Sequence, residues 1–278
     1  MYIGCHVSAA GKNGILKAIN QIELLGGNAL QIFVSNRVGK GTKQVSEEEA
    51  IKIKEKLKKN ILLFIHSPYT LNFSAQFNSE SWMISLIIKE LEIAHQIGAK
   101  GCIIHMGKSL KNDVEYSIIN FIKSIKYIVS KLIKENMQTK IILETPAGQG
   151  TELFVKFEDF AKMFNSFTKD EKKYIGLCID TCHIFAAGYK VKDYFKLFKK
   201  EIGLNFLSII HFNDSKKDLG SCVDRHENIG YGKIKPDDLN YSLKIGAKNK
   251  IPIILETPDI TRHSNEIIYL NTILSTAK

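Results

Sequence analysis

The sequence has five cysteines in 278 residues, an odd number, and no C-x-x-C pair. A full disulfide framework and the common structural-zinc spacing are therefore excluded. Cys5, Cys102 and Cys178 fall inside apolar, strand-like runs and read as small buried hydrophobes. Cys182, between Thr181 and His183, has no such simple reading. No apolar run is long enough to span a bilayer, so no transmembrane segment is expected. The opening Met1–Val7 lacks a basic n-region and passes straight into a strand pattern, so the expectation is an intracellular, non-secreted protein without a membrane partner. No Gly-rich phosphate loop follows an early strand, which counts against an open dinucleotide-binding sheet. No linker rich in Pro, Gly or Ser interrupts the chain, so residues 1–278 are expected to form one domain.

What is present is an ordinary apolar fraction of 44% and a formal net charge of +10. Such a basic chain suits a polyanionic partner, nucleic acid first. Much of the lysine sits on helical patterns such as 46–60, where a solvated face accounts for it, so charge alone is weak support.

Eight apolar runs have strand length: Tyr2–Val7, Ala29–Val34, Leu62–His66, Gly101–His105, Ile141–Glu144, Ile175–Asp180, Phe206–Phe212 and Pro252–Glu256. They are nearly continuous rather than alternating, as in strands buried on both faces of a parallel sheet. Amphipathic segments follow them at Gly11–Leu25, Glu47–Lys59, Ser81–Ile97, Val114–Glu135, Phe157–Phe167, Lys192–Ile202, Pro236–Lys244 and Ser264–Ser275. Eight such units in about 250 residues have the rhythm of an α/β fold of the (β/α)8 TIM-barrel type. The hexamer I-I-L-E-T-P occurs twice, at Ile141–Pro146 and Ile253–Pro258, each time ending a strand in a glutamate.

The strand ends carry the chemistry. His66, His105, Glu144, Asp180, His211 and Glu256 each close a run; His183 lies three residues past Asp180, and Asp224 and His226 follow the seventh strand in D-R-H. A barrel brings its C-terminal strand ends to one mouth. Four carboxylates packed there would repel and raise one another's pKa values unless cations intervene. Five imidazoles supply the nitrogen that zinc prefers over magnesium. Nine donors exceed one ion's needs. Shared among three, with a bridging carboxylate, they leave a surplus of about +2 for a phosphodiester. His6 falls outside this set, as a group that supports the ligands or contacts phosphate. His95 and His263 read as structural or exposed. For Asp180 the bland alternative is a helix N-cap beside a half-exposed histidine.

Four segments resemble the endonuclease IV family of zinc-dependent apurinic/apyrimidinic (AP) endonucleases: Gly4–Gly11 (G-C-H-V-S-A-A-G), Glu144–Gly150 (E-T-P-A-G-Q-G), Cys178–Tyr189 (C-I-D-T-C-H-I-F-A-A-G-Y) and the long His211–Gly232. The resemblance spans nearly the whole chain. It implies a TIM barrel holding three zinc ions, with manganese an alternative at one site. His66, His105 and Glu144 would hold the first. Glu144 would bridge to a second that also takes Asp180, His211 and Glu256. His183, Asp224 and His226 would hold the third. It further implies hydrolysis 5′ to an abasic site in double-stranded DNA, leaving a 3′-hydroxyl and a 5′-deoxyribose phosphate, with trimming of blocked 3′ ends. A zinc-bound hydroxide would attack phosphorus, with Glu144 and Glu256 as the catalytic carboxylates.

Tyr69, in H-S-P-Y, matches a position where the family inserts an aromatic at the lesion. Arg37 and Arg225 complete the expected DNA contacts. The sequence departs from the family in the loop Ser35–Gly41 (S-N-R-V-G-K-G), where Val38 and Gly39 replace polar and aromatic residues, and at Lys190, where aspartate is common. A monomer is expected. The Lys-, Ile- and Asn-rich, Ala-poor composition fits a bacterium, an organelle-bearing parasite or a large DNA virus. Two other readings remain: a metal-dependent sugar isomerase or epimerase on the same barrel, and a DNA-binding protein with a decayed site. The third donor set argues against the former, the unbroken set against the latter.

Overall fold

The computed structural model describes residues 1–36 and 41–276. Seven apolar runs fold in order as strands β1 (Ile3–His6), β2 (Ala29–Ile32), β3 (Leu62–His66), β4 (Gly101–Ile104), β5 (Lys140–Glu144), β6 (Ile175–Asp180) and β7 (Leu207–His211). A short antiparallel hairpin of β8 (Asp214–Ser215) and β9 (His226–Glu227) precedes the last barrel strand, β10 (Ile253–Leu255). The barrel closes in the order β1-β10-β7-β6-β5-β4-β3-β2, and every ladder in it is parallel. Parallel neighbours need long crossovers. Helices supply them: α1 (Gly14–Leu24), α2 (Glu47–Leu57), α3 (Trp82–Ile97), α4 (Val114–Lys134), α5 (Phe157–Asn165), α6 (Thr181–Ala186), α7 (Val191–Glu201), α8 (Pro236–Asn249) and α9 (His263–Thr276). The chain therefore adopts the (β/α)8 barrel expected from its sequence.

Local chemistry fixes several helix starts. The Ser46, Ser81 and Asp113 side chains accept the N–H of Glu49, Ile84 and Tyr116 at the N-termini of α2, α3 and α4. Each such cap stabilises by about 1 kcal/mol. α8 runs five residues past the sequence-based limit, Lys244, to Asn249. Gly246 lies inside it without ending it, because that position packs closely against Ile210 and Ile253. None of the described helices is long and apolar enough to cross a membrane.

Strand periodicity then positions the site. Side chains alternate across a strand. One set of alternate residues, Ala29, Phe64, Ile103, Ile142, Cys178, Ile209 and Ile254, packs together inside the barrel. The other set, such as Leu30, Ile65, Ile141, Leu177 and Ile253, joins the larger core under the helices. Two residues beyond the inner set come Gln31, His66, His105, Glu144, Asp180, His211 and Glu256, with His6 in the same parity on β1. They form the next inward layer, at the C-terminal mouth.

Gly4 occupies the inner parity of β1, where a Cβ would overlap the Ala29 carbonyl oxygen on β2. Replacement Gly4→Ala is expected to lower stability by about 3 kcal/mol, read as the urea midpoint at unchanged m-value. A midpoint equal to wild type would show that β1 and β2 are not held this close.

Candidate metal centre

The inward layer and the residues beside it form, among the described residues, five groups whose donor atoms all lie within 4.8 Å of one another; three are made only of histidine and carboxylate: His66, His105 and Glu144; Glu144, Asp180, His211 and Glu256; and His183, Asp224 and His226. All nine residues singled out in the sequence therefore meet at one mouth. Glu144, His66, Asp180, His183 and His211 are buried, and the other four are partly exposed. Cys178 and Cys182 border the same groups. Burial pushes both thiols up to about 12, so they stay neutral beside the cluster.

Asp180 has two roles. Its Oδ1 accepts the His183 N–H at 2.9 Å and so caps α6, a short helix that follows β6 directly. Its Oδ2 accepts Asn213 Nδ2–H and lies 3.4 Å from His226 Nε2. The cap and the cluster thus coexist, and His183 is buried rather than half-exposed.

Four imidazoles have their tautomer set by a neighbouring oxygen. Nδ1 of His66 lies 2.7 Å from the Ser67 carbonyl, that of His183 2.9 Å from the Thr145 carbonyl, and that of His226 3.2 Å from the Glu256 carbonyl. A carbonyl only accepts, so each Nδ1 carries a proton and each Nε2 is the nitrogen that faces the cluster. His211 is reversed: its Nε2 lies 2.8 Å from Gln31 Oε1, and its Nδ1 2.8 Å from Glu144 Oε1. The Nε2 atoms of His183 and His226 are buried and have no hydrogen-bond partner among the described residues. Bare imidazole nitrogens aimed at Asp224 from 3.3 Å suit a cation lying between them.

The electrostatics agree. Burial would raise Glu144, but His211, His105 and His66 hold its carboxyl well below the usual range. Burial would lower His183, but Asp180, Asp224 and Glu144 outweigh it and raise the imidazole well above its ordinary value. His211 is likewise raised against burial, by the carboxylates of Glu256 and Glu144. His105 is pushed down to about 4 by burial, despite Glu144.

Several residues that build the site carried no sequence signal of their own. Gln31 Nε2 donates to Glu256 Oε1 at 2.6 Å. Asp214 accepts backbone N–H groups from Ser215, Gly230, Gly232 and Ile234, which shapes the loop bearing Asp224 and His226. Glu266 on α9 accepts from Asn228, Ile229 and Thr257. His6 sits beside Gln31, with Nδ1 3.1 Å from its Nε2. His263 is buried against the Thr257 carbonyl, and the exposed His95 accepts the Gln138 N–H; both are structural.

At the rim, Tyr69 is 56% exposed, its ring edge-on to Phe33 and His105. It borders a cavity of about 460 Å³ shared with His105, Lys108, Gln149 and Asp224. Arg225 is exposed and donates to the Asp224 carbonyl. Arg37 lies outside the described residues.

Barrel and mouth together define a xylose isomerase-like TIM barrel, and the model of that family matches residues 19–271. A protein of Acanthamoeba polyphaga mimivirus named endonuclease 4 is 34% identical over 270 residues, 92% of this chain and 85% of the relative. One of the same name from Halothermothrix orenii is 33% identical over 281 residues, 98% of both chains. The crystal structure of endonuclease IV from Thermus thermophilus superposes with a TM-score of 0.84 at 24% identity, covering 99% of this chain and 100% of that one. The chain belongs to the endonuclease IV family.

With chelator present, the buried charges should set the pH dependence of stability. The raised imidazoles of His183 and His211 contribute fully below the unfolded value of 6.5, and this is lost as pH rises through their folded values. The lowered Glu144 contributes above 4.5 and loses its share as pH falls through its folded value. His105, depressed to about 4, costs stability by an amount that grows as pH falls from 6.5 and is complete below 4. Stability should therefore peak near pH 6 and fall towards pH 9, by about 1.4 kcal/mol of unfolding free energy for each unit a histidine is raised, and the thermal midpoint should follow. A flat profile from pH 6 to 9 would contradict the coupling.

Proposed function

We propose that the protein is a zinc-dependent AP endonuclease. It hydrolyses the phosphodiester 5′ to abasic sites in duplex DNA, leaves a 3′-hydroxyl and a 5′-deoxyribose phosphate, and trims blocked 3′ ends in base-excision repair. The observation that carries this reading is the triple donor cluster, with two bare, buried imidazole nitrogens, at the mouth of a barrel of net charge +10. The relatives named endonuclease 4 support it. The whole chain 1–278 would act as one domain and as a monomer, in whichever compartment holds the DNA.

His66, His105 and Glu144 would hold one ion; Glu144, Asp180, His211 and Glu256 a second; His183, Asp224 and His226 a third, with manganese an alternative at one of them. Bound there, zinc supplies Lewis-acid polarisation of a phosphate and acidifies water. The chain's own residues supply the rest. Glu144 and Glu256 bring negative charge to His211, 2.8 and 3.2 Å from its Nδ1, and are the carboxylates assigned to catalysis. Ser67, Thr145, Asn213 and Gln31 hold the donors in position from behind, so that little reorganisation accompanies reaction. Tyr69 offers an exposed ring where a base is missing. Arg225 offers an exposed guanidinium to the backbone, and Arg37 is assigned the same role. An abasic nucleotide unstacks more cheaply than a paired one, which favours its entry into the mouth. A sugar isomerase on this barrel class would have no evident use for the His183–Asp224–His226 group.

The decisive measurement is incision of a duplex carrying one tetrahydrofuran abasic analogue, which a β-elimination lyase cannot cut. The expected result is cutting 5′ to the analogue, lost on prolonged chelation and restored by zinc. Glu144→Ala should lower the rate by about 100-fold or more. Absence of cutting by folded, zinc-loaded protein would overturn the reading and direct the search to sugar substrates.

A further inference from the structure

Gln31 is fully buried in the middle of β2, within the apolar run A-L-Q-I-F. An unpaired amide there would be strongly unfavourable, so its partners matter. Its paired atoms all lie in the mouth. Nε2 is 2.6 Å from Glu256 Oε1 and 3.1 Å from His6 Nδ1, and Oε1 is 2.8 Å from His211 Nε2. The orientation of the amide follows from these partners. An ionised carboxylate only accepts, so the –NH2 must face Glu256 and the carbonyl oxygen must face His211. His211 Nε2 therefore carries a hydrogen. Its other nitrogen, Nδ1, faces Glu144 Oε1 at 2.8 Å, Glu256 Oε2 at 3.2 Å and Asp180 Oδ2 at 3.9 Å. A neutral ring therefore presents the Nδ1 lone pair to these carboxylates, and a protonated ring would release its Nδ1 proton when a cation binds.

We infer that Gln31 is a positioning residue for the central donor group. It fixes the His211 tautomer that presents Nδ1 and, through its –NH2, turns Glu256 towards the same point. This rests on the metal reading above and goes beyond it. His211 becomes the exception among the clustered histidines, since His66, His183 and His226 have Nδ1 tied to a carbonyl and present Nε2. One amide on β2 orders two donors at the ends of the adjacent strands β7 and β10, reached across β1.

Two variants separate the roles. Gln31→Met keeps the volume and removes the hydrogen bonds to Glu256, His6 and His211. Gln31→Glu keeps an acceptor for His211 Nε2–H and loses the donor to Glu256. The first readout is the long-range ¹H–¹⁵N spectrum of the imidazoles, recorded without DNA, with and without zinc. The expected pattern in wild type and Gln31→Glu is a protonated Nε2 on His211, with Nδ1 as its zinc-bound nitrogen. In Gln31→Met the fixed tautomer should be lost. The second readout is zinc retention against a competing chelator. One ion of the set should be held about 10- to 100-fold less tightly in Gln31→Met, with the others unchanged. Far-UV circular dichroism and the melting of the chelated proteins check that the variants fold.

If folded Gln31→Met retains the wild-type His211 tautomer and zinc affinity, the inference is overturned. Equal weakening of all bound ions would also overturn it, since that marks a general structural effect. The tautomer of the chelated protein is read without zinc or DNA. A wild type that shows it but fails to cut the abasic duplex would sink the proposed function and leave the role of Gln31 intact.

Discussion

Mutual repulsion among four carboxylates is the constraint around which the mouth of this barrel is arranged. Glu144, Asp180, Asp224 and Glu256 are drawn together by strand geometry and by one loop. Two unit charges 4 Å apart repel by about 4 kcal/mol at an effective dielectric constant of 20. Imidazoles interleave with them, and the raised values of His66, His183 and His211 show protons standing where cations could. Protons are an imperfect substitute. His183 Nε2 and His226 Nε2 still lack a hydrogen-bond partner among the described residues, and burial still drives His105 down to about 4.

The barrel makes that concentration of charge tolerable because it is rigid and because its parity is simple. The layer below the donors is apolar, Phe64, Ile103, Ile142, Ile209 and Ile254, and it fixes the height at which the polar layer begins. Around the rim, two buried acids that are not themselves donors hold the least regular part of the site. Asp214 and Glu266 together bind backbone and side-chain N–H and O–H groups, most of them in the loop between His211 and Glu256. That loop bears Asp224 and His226, and it could not converge on His183 without such anchors.

The strands and most of the donors were legible because six of the nine donors close an apolar run, and a charged or imidazole residue in that place is conspicuous. The supporting residues were less so, for physical reasons. Gln31 lies within a run that reads as a buried strand, and only the parity shared by eight strands marks it as part of the inward layer. Thr145 and Asn213 sit beside donors, but their contribution depends on contacts across strands, such as Asn213 to Asp180 and Glu256, that spacing cannot show. Glu90 lies on an amphipathic helix and would pass for a solvated acid. In the fold it is fully buried, raised to about 7 by that burial although Ser35 and Ser67 oppose the rise, and it accepts the Ser67 hydroxyl directly behind His66. The short helix α6 is hidden in the sequence because its cap, Asp180, is also a cluster member, and one residue gives two signals.

Charge is distributed on two scales, and their opposition orders events on the proposed reading. The chain as a whole carries +10, a field that favours approach of a polyanion. The mouth itself is lined by carboxylates and would repel a phosphate at close range. A backbone phosphate can therefore settle against Glu144 and Asp224 only once cations have reversed the local sign. Metal occupancy and close phosphate binding are then linked reactions, each strengthening the other by the same factor. Loss of cations would leave long-range attraction largely intact while abolishing the close contact on which incision depends.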